Sequence, residues 1–134
     1  MKMTAKEYLM QYRNLDALID AKLDRIMRLR ALAEKRTTIF SDMPRSGQRS
    51  DRYDIVARIV DMERELDAEI DRLLTLHDEI KATISAVSDE NYRTLLELRY
   101  LTRMTWEQIA RKMYFGREWV IRLHGHALLD VKVP

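Results

Sequence analysis

The chain contains no cysteine, only three glycines and two prolines among 134 residues. The missing thiols exclude a disulfide framework and any thiolate metal site, and with only His77, His124 and His126 as imidazoles a zinc module is not expected. Glycine and proline together fall well below the roughly 12% of an average protein. Sandwiches and barrels need a turn signal about every 8–12 residues, whereas here those residues are confined to Pro44, Gly47, Gly116, Gly125 and Pro134. An all-α fold of long helices is what remains. No apolar run approaches the roughly 18 residues of a membrane span, and the opening MKMTAKEYLMQYRNLD lacks the apolar centre of a signal peptide. A cytoplasmic protein without membrane contact is therefore expected.

Charge is plentiful but unevenly placed. Charged residues are 34% of the chain and the net charge is only +2. Residues 1–52 hold 12 Lys/Arg and 7 Asp/Glu, residues 53–88 hold 4 and 9, and residues 89–134 hold 8 and 6. Opposite signs on the first two blocks suit two helices lying against each other, although exposed ion pairs contribute only about 0–1 kcal/mol each.

Thr4 and Glu7 have capping-box spacing, and apolar residues then recur helically to about Ala33. In a heptad frame, Ala5, Tyr12, Ile19, Ile26 and Ala33 take a; Tyr8, Leu15, Lys22 and Leu29 take d, so only Lys22 breaks the seam. Residues 36–52, with Pro44, Gly47 and several Ser and Thr, lose the period and read as a connector. From about Tyr53 the frame resumes with Ile59, Leu66, Leu73, Ile80 and Val87 at a, and Met62, Glu69, Leu76 and Thr83 at d. Two such segments predict a long antiparallel helical hairpin, a coiled-coil-like unit over residues 1–88 that serves oligomerisation or partner binding.

At Ser88 and Asp89 the pattern changes to short helices, with Ser88 as the expected N-cap of the first. Thr105 and Gln108 form another capping box and open a helix from Trp106 to Met113; a turn through Tyr114, Phe115 and Gly116 leads to a helix from Arg117 to about Val131. That spacing predicts a helix-turn-helix DNA-binding domain over residues 89–134. Ile109, Ala110 and Met113 supply one inner face, and Val120, Leu123, Ala127 and Leu128 the other. The outward residues of the last helix are Arg117, Glu118, Ile121, Arg122 and His126. Arginine donates bidentately to guanine and glutamate accepts from cytosine N4, so Arg117 and Glu118 stand where base edges are read. Free N–H groups at both helix starts, with Arg111 and Lys112 nearby, suit phosphates.

TWEQIARKM resembles the scaffold helix of region 4 in bacterial sigma-70-type factors. GREWVIRLHGHALLDV resembles its recognition helix, with Arg117 and Glu118 matching base-contacting positions. Most of the chain is similar to small phage and prophage proteins of the ArpU-like, sigma-factor-like class, which combine a helical N-terminal segment, a connector, an acidic helix and an LRY…TWEQIA…HG.AL tail. The resemblance implies a regulator of phage transcription, often of late genes, acting in a bacterial host cell, with a hairpin that serves either oligomerisation or contacts to RNA polymerase. Gly116 stands where the sigma pattern has a Ser or Thr cap, Trp119 and Ile121 replace basic residues, and nothing upstream resembles the segment that binds core polymerase. A regulator is thus expected rather than a self-sufficient sigma factor, and a homodimer on two half-sites is the expected assembly.

No nucleophile with an adjacent base, phosphate loop or paired catalytic carboxylate occurs, so neither enzymatic activity nor a cofactor is expected. The acidic series from Asp61 to Asp71 has helical spacing without a calcium loop and reads as a solvated face. Two alternatives to transcriptional control carry the same tail: a DNA-packaging adaptor of the small-terminase kind, and a helical protein-interaction module.

Overall fold

The computed structural model describes residues 2–40 and 46–134, with side chains described outside residues 36–52. It is all-α. Helix α1 spans Ala5–Phe40 and α2 Ser46–Ser85; α3, Glu90–Leu96, continues into a π-helical turn at Glu97–Leu101; α4 is Trp106–Met113 and α5 Arg117–Leu129. Among the described residues there is no strand, and no helix is long and apolar enough to cross a membrane.

Thr4 and Glu7 cap α1 reciprocally, with Glu7 N–H donating to Thr4 Oγ1 at 3.2 Å and Thr4 N–H donating to Glu7 Oε2 at 3.4 Å. The connector expected over residues 36–52 is a correction: α1 continues to Phe40 and α2 already begins at Ser46, with Gly47 in its first turn. Ser, Thr and a single Gly weaken a helix by less than about 1 kcal/mol each, so loss of apolar period did not stop the backbone from continuing. Arg49 and Arg52 fall on α2, whereas Pro44 and Arg45 lie outside the described residues.

The chain divides into two compact units, Ala17–Arg72 and the combination of Met1–Asp16 with Leu73–Pro134. Packing thus draws its line elsewhere than residue 88, because the first turns of α1 and the last turns of α2 share a core with the C-terminal helices.

In the Ala17–Arg72 unit, Ile19, Ile26, Ile59 and Leu66, all at a positions, are buried. Lys22, the break in the first seam, meets Glu69 at a d position of the second. Lys22 pairs with Glu69, each side chain only 22% exposed, and reaches Glu65 at 3.5 Å; the hydrogen bond it donates to Glu69 holds the ammonium pKa above its ordinary value. Arg30 pairs with Glu63 about two turns further along α1. Lys22 facing Glu65 and Glu69 while Arg30 faces Glu63 fixes the antiparallel sense and register. Each fully buried Ile or Leu contributes about 1.5–3 kcal/mol, against about 0–1 for an exposed pair, so the apolar seam drives association and the charges select its alignment.

The other unit centres on Leu9, Ile80, Ile84, Leu95, Leu96, Ile109, Val120 and Ala127, all fully buried. Asp89, not the expected Ser88, caps α3: its Oδ1 accepts from Tyr92 N–H at 3.1 Å. The Ser88 carbonyl instead accepts from Arg93 at 2.8 Å, and Val87 from the same guanidinium at 2.7 Å. Arg103, at φ 58°, closes the π-helical turn and donates to Asp16 on α1 at 3.3 Å. Because Ile84 is central to this core, Ile84→Ala is expected to cost about 2–5 kcal/mol, whereas exposed Leu74→Ala should cost under about 1 kcal/mol. Urea unfolding measures both, and equal small losses would show that the core is not built this way.

Candidate nucleic-acid interface

The capping box expected at α4 is present. Gln108 N–H donates to Thr105 Oγ1 at 3.2 Å, and Thr105 N–H donates to Gln108 Oε1 at 2.9 Å. Ile109 and Ala110 are buried, and Ala110 is small enough to let α5 approach. The helix ends in a Schellman motif: Phe115 N–H donates to the Ala110 carbonyl at 3.0 Å and Tyr114 N–H to Arg111 at 3.4 Å. This motif requires left-handed backbone at residue 114, and Tyr114 adopts it at φ 60°, ψ 38°. A side chain there costs about 1–2 kcal/mol. Phe115 packs against the core, and Gly116, extended at φ −73°, ψ 152°, caps α5 without a side-chain acceptor.

Behind the turn lies a polar core. Tyr100 and His124 are buried and share a hydrogen bond of 2.7 Å between the tyrosine oxygen and Nε2. Trp106 is partly exposed, packs against the core and stands edge-on to His124 at 4.8 Å. Arg99 lies over the Trp106 ring, 4.0 Å from its centroid, and donates to the Met104 carbonyl at 3.0 Å. Burial, followed by the charges of Arg99 and Lys6, pushes the His124 pKa down to about 4. Burial also raises Tyr100 above its ordinary value. Both rings are therefore neutral near pH 7, which lets them share one proton in a bond without a buried net charge.

The outward face of α5 is exposed along its length. Glu118, Ile121 and Arg122 stand on it at i, i+3 and i+4, with Gly125 at i+7 and His126 beside it. A Cβ at Gly125 would meet no atom within 4 Å, so nothing inside the protein requires glycine there. Arg117 is also exposed and pairs with Glu107 of α4 at 3.4 Å, a contact open enough to be given up readily. Arg111 and Lys112 are exposed but belong to the last turn of α4. α5 ends at Leu129 rather than Val131, and Val131 is buried in the core.

Two exposed aromatics join this surface, Tyr114 at 94% and Trp119 at 52% exposure. Trp119 was visible in the sequence as a large residue on an otherwise charged turn of helix. Tyr114 carried a weaker signal, its place directly after the last periodic residue of α4, where a left-handed glycine is the usual occupant.

The chain belongs to the family described as Protein of unknown function (DUF1492), whose profile matches residues 35–131. No curated protein and no solved structure matches it.

The neutral state of His124 has a pH signature. Between pH 6.5 and about 4 the unfolded chain binds the proton that the folded site refuses. The contribution is therefore complete above about pH 6.5, and up to about 3 kcal/mol is lost as pH falls through that window. His124→Gln should remove this part of the acid sensitivity; unfolding curves at pH 7 and pH 4.5 with an unchanged difference between variant and parent would contradict a buried neutral imidazole.

Proposed function

We propose that this member of the DUF1492 family is a non-enzymatic, sequence-specific DNA-binding regulator of phage or prophage transcription, with α5 inserted in the major groove. The observation that carries the reading is the two-sided construction of α5: Val120, His124 and Ala127 are locked into the core, while Glu118, Ile121 and Arg122 stand exposed. Their i, i+3, i+4 spacing is that by which recognition helices reach successive base edges. Arg117 and Arg122 suit guanine O6 and N7, Glu118 suits cytosine N4, and Ile121 suits a thymine methyl. Arg111, Lys112 and His126, with the uncapped N–H groups that start α5, suit phosphates and fix orientation. The resemblance of the tail to sigma region 4 supports the same reading and adds transcription as its setting.

The Ala17–Arg72 unit then serves self-association, with a homodimer placing two α5 helices on two half-sites. What supports this role is the apolar surface that the two helices leave open: Leu18, Leu23, Met27 and Leu32 on α1, and Val56 and Val60 on α2, are all exposed. A pair of helices covers only one stripe on each, and exposed apolar residues in such number mark an interaction surface.

On a duplex selected from a random pool, Arg117→Ala is expected to weaken binding by about 1–3 kcal/mol and to relax preference at one base pair. Unchanged affinity and preference would overturn the assigned reading face. Light scattering of the full chain is expected to give a dimer mass that Leu23→Asp with Met27→Asp reduces to a monomer. A ring of eight or more subunits would favour the packaging adaptor instead.

A further inference from the structure

The left-handed turn after α4 suits glycine, yet the chain places tyrosine there and uses its nearby glycine two residues later, at Gly116, where φ is negative. Internal packing does not account for the choice, because the Tyr114 side chain is almost wholly in solvent. It lines an open depression together with Gln108, Arg111 and Lys112. An amide, two cations and a tyrosine are the side-chain types that hold sugar and phosphate. The left-handed backbone fixes the direction in which the ring leaves the chain, and a strained, exposed residue of this kind is a recurring mark of a contact site. Tyr114 also stands three residues ahead of Arg117, the first residue of α5. A helix whose N-terminus enters the major groove brings the residues just before it onto the sugar–phosphate strand that borders the groove.

We propose that Tyr114 is a sugar–phosphate contact on duplex DNA, its ring against a deoxyribose and its hydroxyl donating to a phosphate that Arg111 and Lys112 attract. This rests on the DNA-binding reading of α5 and adds to it the strand contact that sets the depth and angle of the helix. It also explains why a residue unfavourable to the fold occupies the turn.

The test sets stability against binding. Tyr114→Gly relieves the turn, so its thermal midpoint is expected to rise by about 2–5 °C, while affinity for mixed-sequence duplex DNA at low salt falls about five- to tenfold. Tyr114→Asn, which also accepts the left-handed region, is expected to lose affinity equally. Because tyrosine carries no charge, the slope of log affinity against log salt should stay at the parent value in both, whereas Lys112→Ala should lower it by about 0.9. Parent-like affinity in both tyrosine variants overturns the proposal and leaves the reading of α5 intact. A fall in thermal midpoint in both overturns it as well, by showing that the tyrosine supports the fold. Failure of the unmodified chain to bind the duplex at low salt overturns the DNA-binding reading itself, and this proposal with it.

Discussion

Everything presented on the C-terminal surface depends on one apolar contact, the burial of Leu9, Ile80 and Ile84 against Leu95, Ile109 and Val120. α4 and α5 are eight and thirteen residues long, shorter than or near the length at which an isolated helix is marginal in water. They hold their angle because the first turns of α1 and the last turns of α2 supply the inner wall that two short helices cannot make for each other. The same contact fixes which side of α5 faces outward. Val120, His124 and Ala127 are taken by the core, so Glu118, Ile121 and Arg122 are left to solvent by elimination.

Much of this was legible in the residue pattern. The capping boxes at Thr4 and Thr105 and both boundaries of α4 follow from side-chain chemistry confined to a few neighbouring positions, which a linear sequence records fully. The two seams were also legible, but the meaning of their breaks was not. Lys22 reads by itself as a break in its seam, and only the register of the pair shows that Glu69, at a d position of the other seam, answers it. The connector was overestimated because apolar period reports burial, whereas a backbone continues helical through polar residues whenever nothing stops it.

The site divides along the same line. Its exposed charges were read from helical spacing, since a face is a local property. The polar core behind it was not, because Tyr100 and His124 lie 24 positions apart, and nothing in their neighbours announces a shared hydrogen bond. Tyr114 escaped for another reason: left-handed backbone is ordinarily signalled by glycine or asparagine, and the chain departs from that rule at a fully exposed position. Places where a local rule is broken without internal compensation are where contacts outside the chain are best sought. Tyr114 and the mid-helix Gly125 both fit that description, one ahead of α5 and one on its outer face.

Whether α5 reads sequence in the major groove is decided by repeated selection of bound duplexes from a random pool at stated salt. Enrichment of one short motif is expected, its recovery dependent on the residues exposed on α5, with a symmetric repeat if two chains bind together. Recovery of a pool without any enriched motif, after rounds in which the chain retained duplex, would contradict it.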